Sequence, residues 1–267
     1  MIYLVLLLII FFQILLIGYP LIKRKFGKRI QMLKVQEVNV INEKVLQQAY
    51  QMLVSKSINM SFNDDEDLYT LLATWKNRFL GKKSHHIYAY FNFPLAFLLL
   101  GLLDQYESAN KKEALAKVER KIIDLITNEG QLKFKVDKVD QAMFGLVFLR
   151  LYQITNKEHY FEAAKNIYKY ISLFRKEDGI YLYRKEHNIF FIDTVGLLCP
   201  FLMLYADITS DDSIKIDAER QVQFALKYCT GSNQGLAFHA YDLNHNQPLG
   251  STNWARGMGW LLLGLSA

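Results

Sequence analysis

The chain is poor in cysteine, with two, Cys199 and Cys229, in 267 residues. Neither stands in a CxxC pair or a Cys/His cluster, so the sequence carries no disulfide framework. Both fall in apolar helical patterns and read as buried free thiols. A strong excess of charge is also lacking. The formal net charge is +6, but Lys23, Arg24, Lys25, Lys28 and Arg29 stand together behind an apolar stretch, and without them the balance is about +1. That removes most of the support for a nucleic-acid partner. What is present in quantity is apolar: 51% of residues against 22% charged, which excludes disorder and suffices for a packed core. The 16 Tyr and 18 Phe can fill that core or stack on sugar rings, and composition does not separate the two.

Residues 2–22 read IYLVLLLIIFFQILLIGYPLI, with Gln13 the one clearly polar interruption. About 20 such residues cross a bilayer as a helix. No small-x-small cleavage site and no lipobox-like cysteine follows, so the stretch reads as an anchor rather than a removable signal. The basic cluster comes after it, which places the remainder of the chain on the cytoplasmic side. The expected organisation is a single-pass transmembrane helix over 1–22, a basic juxtamembrane linker over 23–40 and a helical domain over 41–267.

The rest repeats. Residues 139–152, VDQAMFGLVFLRLY, align with 192–205, IDTVGLLCPFLMLY, at an offset of 53. Each is followed by a polar turn and a more charged helical stretch, 157–174 and 211–229. A weaker copy covers 94–127. The first helix of each pair is apolar nearly all round and belongs to an inner layer; the second is amphipathic and belongs outside. Such pairs repeated along a chain build a toroid. A third element starts at Gly130, Gly179 and Gly235 and predicts a turn and a short β-strand. Every inner-helix start and every such loop then points to one end of the toroid, where a site assembled from several repeats is expected.

Asp140 and Asp193 occupy equivalent places in two repeats, at inner-helix starts. One such Asp is an ordinary N-cap. Two at one mouth form a carboxylate pair, which general acid/base chemistry on a sugar requires. Residues 235–260 are the densest segment, with His239 on the predicted strand and Asp242 just after it. Trp254 and Arg256 open the next inner helix, and Trp260 lies four residues after Arg256 on the same face. An Arg beside two Trp can hold a carboxylate while a ring stacks on an indole, although Arg and Trp also stack as structural pairs.

Asp193-Thr194 with Pro200-Phe201-Leu202 and Tyr205, then Gly235-Leu236 with His239-Ala240-Tyr241-Asp242, then Trp254-Ala255-Arg256-Gly257 with Gly259-Trp260, resemble glycoside hydrolase families 88 and 105. The likeness covers roughly 85–267. These are the unsaturated glucuronyl and rhamnogalacturonyl hydrolases, with an all-α (α/α)6 barrel, a six-hairpin toroid. The resemblance implies an enzyme that removes a 4,5-unsaturated uronic acid from the non-reducing end of lyase-generated pectin- or glycosaminoglycan-type oligosaccharides. An Asp protonates the double bond and water adds at C5. Asp193 matches the main acid/base carboxylate and Asp140 the assisting one. His239, Arg256 and Trp260 match positions that bind the uronate. No metal or cofactor is implied, and a bacterial source is expected. Met258 stands where the family usually has Asn, and a Met common after the Asp-Thr pair is replaced within Val195–Leu198.

At 53 residues per repeat, six hairpins need roughly 320 residues, so the barrel is expected to be incomplete at its C-terminal end. Two other readings remain open: another sugar enzyme of the same barrel class, such as an epimerase, and a non-catalytic membrane-bound relative.

Overall fold

The computed structural model describes residues 93–231, 235–252 and 255–267, and before them 38–54 with the short segments 13, 59–60, 76, 79–81 and 88–89. The chain divides into two compact units, Met1–Ala89 and Tyr90–Ala267. In the first, α1 (Val38–Val54) buries Leu46, Tyr50 and Leu53. The two-residue strands β1 (Asn59–Met60) and β2 (Tyr88–Ala89) pair antiparallel there. The apolar stretch 2–22, Gln13 apart, and the basic cluster behind it lie outside the described residues. Among the described residues no helix is long and apolar enough to cross a membrane.

The second unit is built of helix pairs, as the repeat predicts. They are α2 (Phe93–Ala109) with α3 (Lys112–Ile122), α4 (Ala142–Thr155) with α5 (Glu158–Ile171), and α6 (Asp193–Thr209) with α7 (Asp212–Tyr228). The helix α8 (Ala255–Leu265) follows. The first member of each pair packs on the next such helix, α2 on α4, α4 on α6 and α6 on α8, which makes the inner layer. The second members each pack on the helix before them. Apolar spacing decides the layer. α4 is buried from Ala142 through Gly145 and again at Val147, Phe148, Leu149 and Leu151, whereas α5 buries Tyr160, Ala163, Ala164, Ile167 and Ile171 along one stripe. Glycines let the inner helices approach: a Cβ on Gly196 of α6 would stand 2.5 Å from the Trp260 carbonyl oxygen of α8.

The inner helices α2, α4 and α6 are each followed by a residue with positive φ, Asn110 (50°), Asn156 (53°) and Ser210 (56°), which turns the chain back into the outer partner. The inner layer also curves on itself. The Trp260 indole of α8 meets Phe93 (5.3 Å, edge-on) and Phe97 (5.9 Å, tilted) of α2, so the first and last inner helices touch.

The strands expected after Gly130, Gly179 and Gly235 are not strands. Each glycine does turn the chain at positive φ, but each segment makes a single antiparallel bridge, Ile126 to Leu132, Arg175 to Tyr181 and Thr230 to Ala237. The hairpins are instead fixed by side chains of the next outer helix. Asn166 of α5 donates to the Gly130 carbonyl at 3.1 Å, and Gln221 of α7 donates to that of Gly179 at 2.8 Å. Gln221 also accepts the Tyr181 N–H at 2.9 Å, and Arg175 makes two bonds to the Asp217 carboxylate at 2.6 and 2.8 Å. The ladder lies further along, where β3 (Ile189–Phe191), β4 (Ala240–Asp242) and β5 (Gln247–Leu249) pair antiparallel in that order. His239 therefore precedes its strand and Asp242 ends it, one residue displaced from the expectation.

Candidate active site

The mouth of the inner layer holds two corners made on one plan. Asp140 lies in a 3-10 turn, Val139–Gln141, that leads into α4, and Asp193 is the first residue of α6. The cap positions belong to their neighbours, Gln141 and Ile192, and neither makes a side-chain capping bond. The Gln141 amide closes the turn by donating to the Lys135 carbonyl at 2.7 Å and accepting the Asp137 N–H at 2.7 Å. The carboxylates are thus spared the ordinary capping role.

The residue before each Asp donates its N–H to the hairpin that follows in the chain. Val139 donates to the Tyr183 carbonyl and Ile192 to the His239 carbonyl, both at 3.0 Å. Tyr183 and His239 each stand four residues after a hairpin glycine, Gly179 and Gly235. In consequence each Asp faces that residue. The Tyr183 hydroxyl donates to Asp140 Oδ2 at 3.2 Å, and His239 Nε2 lies 3.9 Å from Asp193 Oδ2. Phe191 joins the corners, its ring 5.4 Å from that of Tyr183 and 5.3 Å from that of His239. Gly250, at φ +82°, makes room: a Cβ there would sit 2.7 Å from the His239 Cβ.

Burial governs the electrostatics. The Asp140 side chain is 4% exposed, and burial pushes its carboxyl up to about 6. Lys138, 3.8 Å away, the Tyr183 hydrogen bond and Arg184 pull it back, while Asp137 adds to the rise. Asp140 Oδ1 is buried and has no hydrogen-bond partner among the described residues. Asp193 is also held above the usual carboxylate range by burial, against the opposing charges of His239 and Arg256. Burial raises the Tyr183 hydroxyl most, with Asp140 and then Asp193 adding to it, so both carboxylates act on this one group.

The structure therefore brings together Asp140, Asp193, His239 and the charge of Arg256, which is exposed in the first turn of α8. Trp260 follows Arg256 along α8. The i, i+4 spacing is kept, but Trp260 lies one turn deeper, 8% exposed, against Phe93 and Phe97, with its Nε1 buried and unpartnered among the described residues. Trp254 lies outside the described residues. Tyr183 and Lys138 were not among the residues expected from the sequence. The register of residues counted from each hairpin glycine holds the signal for Tyr183, since it is the same count that reaches His239.

Residues 54–267 match the sequence pattern of Glycosyl Hydrolase Family 88. The chain belongs to that family. Solved structures share the fold at low identity. A family 105 glycoside hydrolase from Clostridium acetobutylicum is 21% identical, with a TM-score of 0.60 over 66% of this chain and 52% of its own. The unsaturated glucuronyl hydrolase of Streptococcus agalactiae is 18% identical, with a TM-score of 0.54 over 66% and 48%. An alpha-1,6-mannanase from a Salegentibacter species is 16% identical, with a TM-score of 0.59 over 84% and 64%. This family 88 chain thus spans about half to two thirds of the length of the structures it matches.

Proposed function

We propose that the chain acts on a 4,5-unsaturated uronic acid at the non-reducing end of an oligosaccharide, by acid-catalysed hydration of the double bond. Asp193 carries the reading. It is buried enough to hold its proton above the ordinary carboxylate range, and it stands beside a histidine and within the field of an arginine. In the proposed reaction protonated Asp193 donates to C4 of the vinyl ether. Water adds at C5, and its proton passes to the Asp193 carboxylate, with Asp140 assisting. The resulting hemiketal opens and the C–O bond to the next sugar breaks. Arg256 and His239 hold the uronate carboxylate. Trp260 and Trp254 complete the proposed substrate-binding set.

Membership of family 88 and the shared fold support this reading, and the substrates are those of the resemblance. Loss of the ultraviolet absorbance of the conjugated uronate tests it, using lyase-generated disaccharides with rhamnose, galacturonate or amino-sugar partners. Decay with the wild-type chain that disappears in Asp193→Asn is the expected result. Decay that persists in Asp193→Asn removes the assigned acid, and no decay with any disaccharide rejects the reading. The apolar stretch 2–22 and the cations behind it further support a single membrane anchor with the helical unit on the cytoplasmic side, which protease accessibility in intact and opened cells tests.

A further inference from the structure

Two corners share one frame, and the frame gives Tyr183 the place at Asp140 that His239 holds at Asp193. We infer that Tyr183 is a positioning residue: its hydroxyl holds Asp140 Oδ2 and so sets the orientation of a carboxylate whose other oxygen, Oδ1, is closed off from solvent. The inference rests on the proposed hydration only for its effect on rate.

Three observations carry it. The first is the repeated backbone bond, Val139 to Tyr183 and Ile192 to His239, which sets both side chains over their carboxylates by the same means. The second is the division of the Asp140 oxygens. Tyr183 donates to Oδ2 and Lys138 approaches the same atom, while Oδ1 is buried without a partner among the described residues. The bond anchors one oxygen and so favours one orientation of the carboxylate plane. The third is that Tyr183 is itself fixed, its ring packed on Phe191 and its chain two residues beyond Tyr181, whose N–H is bound by Gln221. Such a frame sets a reacting group to within fractions of an ångström, where misplacement is costly.

The groups facing Asp140 are Asp137 and Lys138 from its own turn and Tyr183 and Arg184 from the following hairpin, with Asp193 of α6 acting on the same hydroxyl. Among them Tyr183 is the neutral donor, and its bond favours the ionised carboxylate. At the other corner the equivalent residue is a histidine, its Nε2 3.9 Å from the carboxylate.

The experiment uses the full chain labelled with 13C at the Asp carboxyls, in Tyr183→Phe and Tyr183→His, with Asp140→Asn to assign the resonance. The Asp140 titration midpoint is expected to rise by roughly 0.5–1 pH unit in Tyr183→Phe and to fall in Tyr183→His, where a cation replaces the dipole. Turnover in Tyr183→Phe is expected to fall ~10- to 100-fold with KM little changed, and to fall no further when Tyr183→Phe is added to Asp140→Asn. An unmoved midpoint in folded Tyr183→Phe, or additive losses in the double variant, overturns the inference. The titration is read without substrate, so a failure of uronate hydration leaves that part of the test intact.

Discussion

His239 Nε2 stands 3.9 Å from Asp193 Oδ2, too far for a hydrogen bond and close enough for a charge to be felt. Arg256 adds a second positive field on the same carboxylate. Both oppose the rise that burial imposes, so the proton on Asp193 is set by a balance in which either cation can be removed.

Removing one moves the balance in a known direction. His239→Leu or Arg256→Leu lets burial raise Asp193 further, so the group stays protonated to higher pH. If Asp193 is the acid, the alkaline limb of the kcat/KM profile moves upward in either variant. The position of the limb, rather than the height of the profile, is the measurement, because both residues are also proposed to hold the substrate. A limb that moves downward contradicts the assignment.

Asp140 predicts an exchange of stability for function. Its proton is held with a value of about 6 in the folded chain, against an ordinary 3.8. Below about pH 4 the group is neutral in both states and costs nothing. Between about pH 4 and 6 the unfolded chain releases the proton first, so stability falls as pH rises, and above 6 the full cost is present. Asp140→Asn, neutral at every pH, is therefore expected to be more stable than wild type by on the order of 2–3 kcal/mol at pH 8 and equal to it near pH 4. Urea unfolding at the two pH values measures this.

The hairpin glycines separate two costs. Gly130 has φ +76°, and a Cβ there would lie 2.5 Å from the His159 carbonyl oxygen and 2.9 Å from the Ala163 nitrogen, both backbone atoms of α5. Gly235 has φ +62° with nothing within 4 Å. Gly235→Ala is expected to lose about 1 kcal/mol from the backbone alone. Gly130→Ala is expected to lose about 2–4 kcal/mol, since α5 must also shift. Denaturation midpoints of the two variants test the difference.

Both thiols are expected to be silent. Burial pushes Cys199 and Cys229 up to about 12, so neither is ionised near neutral pH. A thiol reagent is expected to label neither in the native chain and both in denaturant. Rapid native labelling of either contradicts the packing of α6 or of the end of α7.

The layers were legible in the sequence because burial on all sides and burial on one side leave different apolar spacings, as 193–209 and 158–171 do. Asp140 and Asp193 were legible through their shared register. Tyr183 sits in an equally regular register, but a tyrosine in an alternating apolar segment looks like core, while a histidine does not. The strands were misplaced for a different reason. Alternation over five residues is the same whether a segment makes one bridge or a ladder, and β3 finds its partner β4 only through a fold that brings residues 189–191 and 240–242 together. The depth of Trp260 was hidden likewise, since it depends on Phe93 and Phe97 from the other end of the unit.

That last contact governs the order of events at the ribosome. The faces of Phe93 and Phe97 that receive Trp260 emerge long before the indole does, by roughly 10–30 s at ordinary rates of synthesis. During that interval α2 and α4 can pair locally while one aromatic face of α2 waits uncovered. A nascent chain stalled before α8 would therefore be the form most prone to chaperone capture.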